Sequence, residues 1–142
     1  MRWSLVNTGK RFENRFRVWH KDLENVLCIK YPDHASTGTF EQALCDFIII
    51  GSGRVAFYEL KHTNSKTSFS FSLIKDHQMK SMMKLTLTNN IALFLIEDGN
   101  GNVYIQSPSD LIIHHITGKK SIKFSDIENK KINKKQYLQQ FS

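Results

Sequence analysis

Asp46, Glu59 and Lys61 are the residues of this 142-residue chain whose types and spacing suit shared chemistry. Asp46 opens onto the apolar run Phe47-Ile48-Ile49-Ile50, and Glu59-Leu60-Lys61 continues the run Val55-Ala56-Phe57-Tyr58. Between the runs lies Gly51-Ser52-Gly53-Arg54, a hairpin signal. With Gly51 paired to Arg54, Asp46 falls opposite Glu59, and such cross-strand partners have Cβ atoms about 5 Å apart on one face. Lys61 shares that face, because side chains alternate along a strand. Two carboxylates and an ammonium converging at the end of an apolar sheet are expensive unless something binds them. A hard cation such as Mg²⁺ takes oxygen ligands of this kind. The plainer alternative is a salt-bridged strand end. Glu-x-Lys by itself arises by chance about once in every couple of chains of this size, so the weight rests on the register and on the opposed Asp46.

The elements that must position these groups can be read from periodicity. Both hairpin strands are apolar on both faces, which calls for covering layers on each side of the sheet, as in an α/β sandwich. Residues 10–26 read as a helix, capped by Thr8 or Asn7, with Phe12, Phe16, Trp19 and Leu23 at helical spacing. Residues 26–31 are β-rich and stop at Pro32, and residues 33–39 are turn-like. Residues 72–87 read as an amphipathic helix, with Leu73, Met79, Met83 and Leu87 near one stripe. Ile91–Glu97 and Val103–Gln106 form a second strand pair around Asp98-Gly99-Asn100-Gly101. A Lys-rich tail follows Gly118, with a helix near residues 134–141. The expected order is α-β-β-β-α-β-β, a mixed central sheet flanked by helices, in a single domain over residues 1–142.

Composition narrows the class. Forty per cent hydrophobic residues, ten of them Phe, argue for a packed globular protein. No apolar run approaches the roughly 20 residues of a membrane helix, so no membrane partner is expected. The polar opening carries no apolar signal-peptide core, which makes the cytoplasm the expected location, and the short Lys/Asn/Ile-rich chain points to a bacterial or phage-infected cell. Cys28 and Cys45 match no metal-ligand spacing and read as free thiols. A formal charge of +7 favours polyanions, nucleic acid ahead of an anionic membrane surface, and nucleic acid is the partner expected. Lys119, Lys120, Lys123, Lys130, Lys131, Lys134 and Lys135 are either phosphate contacts or a solvated face. Lys10, Arg11, Arg15 and Arg17 on the first helix are the other candidate basic set.

Asp-x₁₂-Glu-Leu-Lys on paired strands resembles the PD-(D/E)XK nucleases, whose restriction-endonuclease-like sandwich has the element order above. That resemblance implies a metal held by Asp46, Glu59 and the Leu60 carbonyl, with Mg²⁺ as cofactor and Mn²⁺ as a substitute. It also implies a metal-bound water of lowered pKa, with Lys61 orienting that water and stabilising charge. Within the superfamily the chain is similar to the RecU-type Holliday-junction resolvases. The similarity is carried by Asn7-Thr8-Gly9-Lys10-Arg11-Phe12-Glu13, Ile29-Lys30-Tyr31-Pro32, Asp46-Phe47, and Phe57-Tyr58-Glu59-Leu60-Lys61-His62-Thr63. Further matches are Phe69-Ser70-Phe71-Ser72-Leu73, Asp76-His77-Gln78, Ala92-Leu93-Phe94-Leu95-Ile96, Gly118-Lys119-Lys120-Ser121-Ile122 and Tyr137-Leu138. In order, they span nearly all of residues 7–138. The resemblance adds Glu13 to the metal site and places Gln78 near it, on the helix after the catalytic strand. His77 reads as a DNA-facing or structural residue. His114-His115, read as lying at a strand end, has no third ligand at zinc spacing.

One departure stands out. The RecU family inserts a long stalk between the Lys-x-Pro strand and the catalytic Asp, whereas residues 33–45 here are thirteen residues, too short for it. Metal chemistry is untouched by this; four-way junction selectivity is put in question. In the short segment, Phe40 either stacks on an unpaired base at a branch point or folds back onto the core. The expected activity is a structure-selective endonuclease acting on branched DNA. Two cuts on opposed strands of a two-fold junction call for a homodimer. The alternatives are a less selective nuclease of the same superfamily, or an inactive basic DNA-binding module. The inactive module predicts a damaged acidic set, whereas Glu13, Asp46, Glu59 and Lys61 are all intact.

Overall fold

In the computed structural model the residues described are 8–31 and 44–142. The Asn7 cap, the turn-like stretch 33–39 and Phe40 therefore lie outside them. Helix α1 (Thr8–Trp19) buries Phe12 and Phe16, one turn apart, against the sheet. It ends seven residues before the expected limit. The amides of His20, Lys21 and Leu23 bond carbonyls three residues back, which turns the chain so that Val26 can pair with Gly51.

Strand β1 (Val26–Lys30) pairs antiparallel with β2 (Phe47–Gly51), and β2 with β3 (Arg54–His62). The register is the expected one, with Gly51 opposite Arg54 and Phe47 opposite Tyr58. Ser52 and Gly53 both have positive φ, at 54° and 71°, which suits the strand twist in a two-residue turn. Strand β4 (Ser68–Ser70) leads to α2 (Asp76–Leu87), which carries the chain across to β5 (Ile91–Glu97), parallel to β3. Strand β6 (Val103–Gln106) returns antiparallel, and β8 (Lys131–Ile132) closes the six-stranded order β1-β2-β3-β5-β6-β8. Helix α3 (Pro108–Ile116), β7 (Ser121–Lys123) and α4 (Lys134–Leu138) complete the described elements named here, with β4 and β7 forming a separate two-stranded sheet.

The sheet is covered on both faces, as its two-sided apolar strands required. On one face Phe94 and Ile96 of β5 pack with Met82 and Leu85 of α2 and Leu111 of α3. On the other, Phe47, Ile49, Tyr58, Leu60 and Leu95 pack against Phe12 and Phe16 of α1 and Tyr137 of α4.

Three expectations are corrected. Helix α2 starts at Asp76, preceded by a 3₁₀ turn at Phe71–Leu73. The extended conformation of Ile74 and Lys75 separates the two. Its buried stripe is Met82 and Leu85, packed with Phe94 and Ile96, while Leu73 and Leu87 are 40% and 77% exposed, because Leu73 lies in the 3₁₀ turn ahead of the helix and Leu87 is its last residue. His114 and His115 lie on α3 and not at a strand end. That helix carried a start signal in Ser107-Pro108: the Ser107 side chain accepts from the Asp110 amide, and Pro108 occupies the first turn.

Candidate metal centre

The strand ends decide which residues meet. Because β3 and β5 run parallel while β1 and β2 are antiparallel neighbours, Lys30, Asp46, the Glu59–His62 stretch and Glu97 all gather at one end of the sheet. Alternation then sorts them. Tyr58 and Leu60 point to the α1 face, so Glu59 and Lys61 point to the α2 face. Asp46 sits one residue before β2, its amide bonded to the Tyr58 carbonyl at 3.1 Å, opposite Glu59 as the hairpin register required.

The contacts run as a chain through the site. Gln78, in the first turn of α2, donates its amide N–H to Glu59 Oε1 at 3.0 Å. Its Oε1 accepts from Lys61 Nζ at 2.7 Å and from the Lys75 amide at 2.9 Å. Lys61 Nζ lies 3.8 Å from Glu59 Oε1. Asp46 Oδ2 accepts from the Leu60 amide at 2.8 Å. A strand residue's N–H and C=O point the same way, so the Leu60 carbonyl also faces the Asp46 end. From α1, Glu13 reaches over the sheet end, and Lys30 Nζ stands between it and Asp46, 3.4 Å from Glu13 Oε1 and 3.6 Å from Asp46 Oδ1.

Electrostatics expose what the cluster lacks. Glu59 is 5% exposed, and its carboxyl is pushed up to about 8, first by burial and then by the neighbouring Asp46 charge. Burial also lowers the Lys61 ammonium from its ordinary value, against the pull of Glu59 and Asp46. Glu13 is raised by burial and by Asp46, with Lys30 opposing. Among the described residues, no three His, Cys, Asp or Glu side chains stand together ready to hold a metal ion. The donor set nevertheless fits a hard divalent cation: carboxylate and carbonyl oxygens, raised carboxyls that added positive charge would relieve, and an ammonium already held between two of them.

The other candidates fall elsewhere. His77 lines an apolar groove between α2 and α3 with Met83, Leu87 and Ile112. Lys119 and Lys120 are exposed in the turn after α3, where the Lys120 carbonyl accepts from the Phe71 amide. Lys10, Arg11 and Arg15 are exposed on α1. Cys28 and Cys45 are free. Sequence reasoning missed Lys30 as a site residue, although its place in the β1 register, opposite Phe47, put it beside Asp46. It also missed the group formed by Arg15, His62 and Glu97. Glu97 is 2% exposed, with Oε2 2.6 Å from Arg15 Nη2 and Oε1 2.7 Å from His62 Nδ1.

Comparison with known proteins bears on the fold and the family. A solved structure of Hjc, a Holliday junction resolvase from Archaeoglobus fulgidus, superposes with a TM-score of 0.59 at 12% identity. The match covers 92% of this chain and 99% of that one, a likeness of fold. A curated relative from Leuconostoc mesenteroides, Holliday junction resolvase RecU, is 28% identical over 82% of this chain. The chain spans 62% of the length of that relative. The family model described as "RecU: Recombination protein U" matches residues 11–141, nearly the whole chain, and the protein belongs to that family.

Proposed function

We propose that this protein is a divalent-metal-dependent endonuclease that cuts branched DNA, four-way junctions foremost, in recombination or repair. The observation that carries the reading is the chain of contacts Lys61–Gln78–Glu59 beside Asp46 at the sheet end. Asp46, Glu59 and the Leu60 carbonyl would hold the ion, with Glu13 joining them from α1, and Mg²⁺ is the proposed occupant with Mn²⁺ as a substitute. A divalent ion there supplies charge neutralisation at a phosphate and a water of lowered pKa. Lys61 supplies positive charge toward the scissile phosphate. Gln78 holds Lys61 and Glu59 apart at fixed distances, so that neither collapses onto the other. Lys30, bridging Glu13 and Asp46, holds the ion's place between those carboxylates until an ion arrives. Lys10, Arg11 and Arg15 on α1, with Lys119 and Lys120 beyond α3, are proposed contacts to the DNA backbone. Two active sites related by a two-fold axis suit paired nicks, so the working form is a homodimer, and the cytoplasm is its proposed location.

The test is cleavage of a labelled four-way junction and of a matched linear duplex, with and without Mg²⁺. Metal-dependent junction cleavage that Glu59→Gln abolishes supports the reading. Equal cleavage of both substrates would favour a less selective nuclease. Tight binding without cleavage in Mg²⁺ or Mn²⁺ would favour an inactive DNA-binding module.

A further inference from the structure

The Arg15–Glu97–His62 group borders a cavity of about 470 Å³, lined by Thr8, Arg11, Asn14, Arg15, His62 and Glu97. It lies on the opposite face of the sheet from Glu59 and Lys61, because His62 follows Lys61 and alternation turns it toward α1. At 3.6 residues per turn, Glu13 stands on one flank of the buried Phe12–Phe16 stripe, and Arg11 and Arg15 stand on the other. The first half of α1 thus straddles the end of β3, with the carboxylates on its β2 side and the cavity on its β5 side.

Arg15 is held rigidly for a surface residue. Its Nη2 lies 2.7 Å from Glu97 Oε1 and 2.6 Å from Oε2, and its Nε donates to the Arg11 carbonyl at 3.4 Å. The guanidinium also sits over the Phe12 ring, 5.7 Å from its centre. Glu97 is fixed in turn by His62 Nδ1, whose other ring nitrogen lies 3.0 Å from Asn64 Oδ1. A guanidinium carries five N–H donors, and these contacts engage only Nη2 and Nε. The side chain remains 52% exposed. An ion pair whose Arg15 side is half exposed contributes little net stability once Glu97 is desolvated, so Glu97 is better explained as a clamp that aims Arg15. With Arg11 alongside, the lining keeps a net positive charge at the N-terminal end of a helix, where anions are favoured.

We infer that this cavity is a phosphodiester subsite, in which Arg15, clamped by Glu97 and His62, receives a DNA backbone phosphate flanking the scissile one. The inference rests on the nuclease reading above and extends it. Asp46 at the start of β2 and Glu97 at the end of β5 are two strand spacings apart, about 10 Å. A nucleotide rises about 3.4 Å along a strand, so the phosphate received lies about three nucleotides from the cut. Arg15 is here a binding residue, and Glu97 and His62 are positioning residues.

The experiment measures binding in EDTA, so that no cleavage is required, using junctions in which single phosphates near the cut are replaced by neutral methylphosphonates. Wild-type protein should lose affinity at one flanking position beyond the scissile one. Arg15→Gln should weaken binding several-fold, flatten the slope of log K against log salt by about 0.9, and lose its response to that one methylphosphonate only. Glu97→Gln keeps the Arg15 charge and should keep the slope while blurring the positional response. If Glu97→Gln unfolds, Arg15→Lys serves the same purpose, retaining charge without the fork. An Arg15→Gln profile identical to wild type, or one weakened evenly at every position, overturns the inference and leaves the nuclease reading standing. Wild-type protein that binds neither junction nor duplex overturns both.

Discussion

Lys30→Met is expected to tighten Mg²⁺ binding by about tenfold while slightly loosening the metal-free fold. The Lys30 ammonium lies 3.4 Å from Glu13 and 3.6 Å from Asp46, and 5.1 Å from the centre of the Phe47 ring. Methionine keeps most of the stem on Phe47 and deletes the charge. With an ion bound by Asp46 and the ammonium pushed aside to about 6 Å, the two repel by about 1.4 kcal/mol at the dielectric of water, which is a factor of about ten in affinity. With the Lys30 side chain only 33% exposed, the dielectric of water gives the floor of this repulsion, and a drier site makes it larger. In the metal-free protein the variant loses two partly exposed ion pairs, worth about 0.2–1 kcal/mol each. Titration calorimetry of metal-free protein with Mg²⁺, without DNA, reads the first effect, and urea unfolding in EDTA reads the second. Equal or weaker Mg²⁺ binding by a folded Lys30→Met protein would refute the reasoning. Lys30 would then be ordering the carboxylates for the ion, and not holding its place.

Asp46→Asn and Glu59→Gln should each abolish junction cleavage while leaving DNA affinity equal or higher, since each removes a proposed ligand and a repulsion against phosphate; gel cleavage beside a binding titration checks both. Lys61→Ala should lose most turnover yet still bind the metal by calorimetry, because an ammonium is no ligand. His20 is buried, with Nδ1 donating to the Phe16 carbonyl at 2.8 Å and Nε2 accepting from the Tyr137 hydroxyl at 2.6 Å, and burial lowers its pKa from 6.5. The unfolded ring therefore binds protons that the folded ring refuses, so urea midpoints should fall as pH drops below 6.5. Tyr137→Phe, which strands the His20 acceptor, should cost about 1–3 kcal/mol at neutral pH by the same assay. Gly99→Ala should destabilise by about 1–3 kcal/mol in urea, because a Cβ there would stand 2.1 Å from the Asn64 carbonyl oxygen.

The hairpin that carries Asp46, Glu59 and Lys61 was legible in the sequence because its determinants are local. A Ser-Gly turn with two positive φ values sets the register, and a period of two then places Asp46, Glu59 and Lys61 without reference to any other element. The two apolar faces of β2 and β3 likewise implied helices on both sides. Helix limits were less secure. The pattern 72–87 looked continuous, yet packing chose Met82 and Leu85 for the core and left Leu87 in solvent. Short elements such as β4, β7 and β8 carry too few residues to show a period and exist through pairing with distant strands.

By itself, then, the sequence determined the hairpin, the chemistry its end could support, and the basic balance that points to a polyanion. Tertiary structure alone decided which other side chains join that end. Lys30 comes between Glu13 and Asp46 because β1 is the outer neighbour of β2. Gln78 spans Glu59 and Lys61 because α2 begins late enough to aim its first turn at β3. Arg15, His62 and Glu97 meet because β3 and β5, separated by a whole helix in sequence, lie parallel and end together under α1. Local periodicity reports the face on which a side chain lies; only the strand order and the helix docking report what stands across from it.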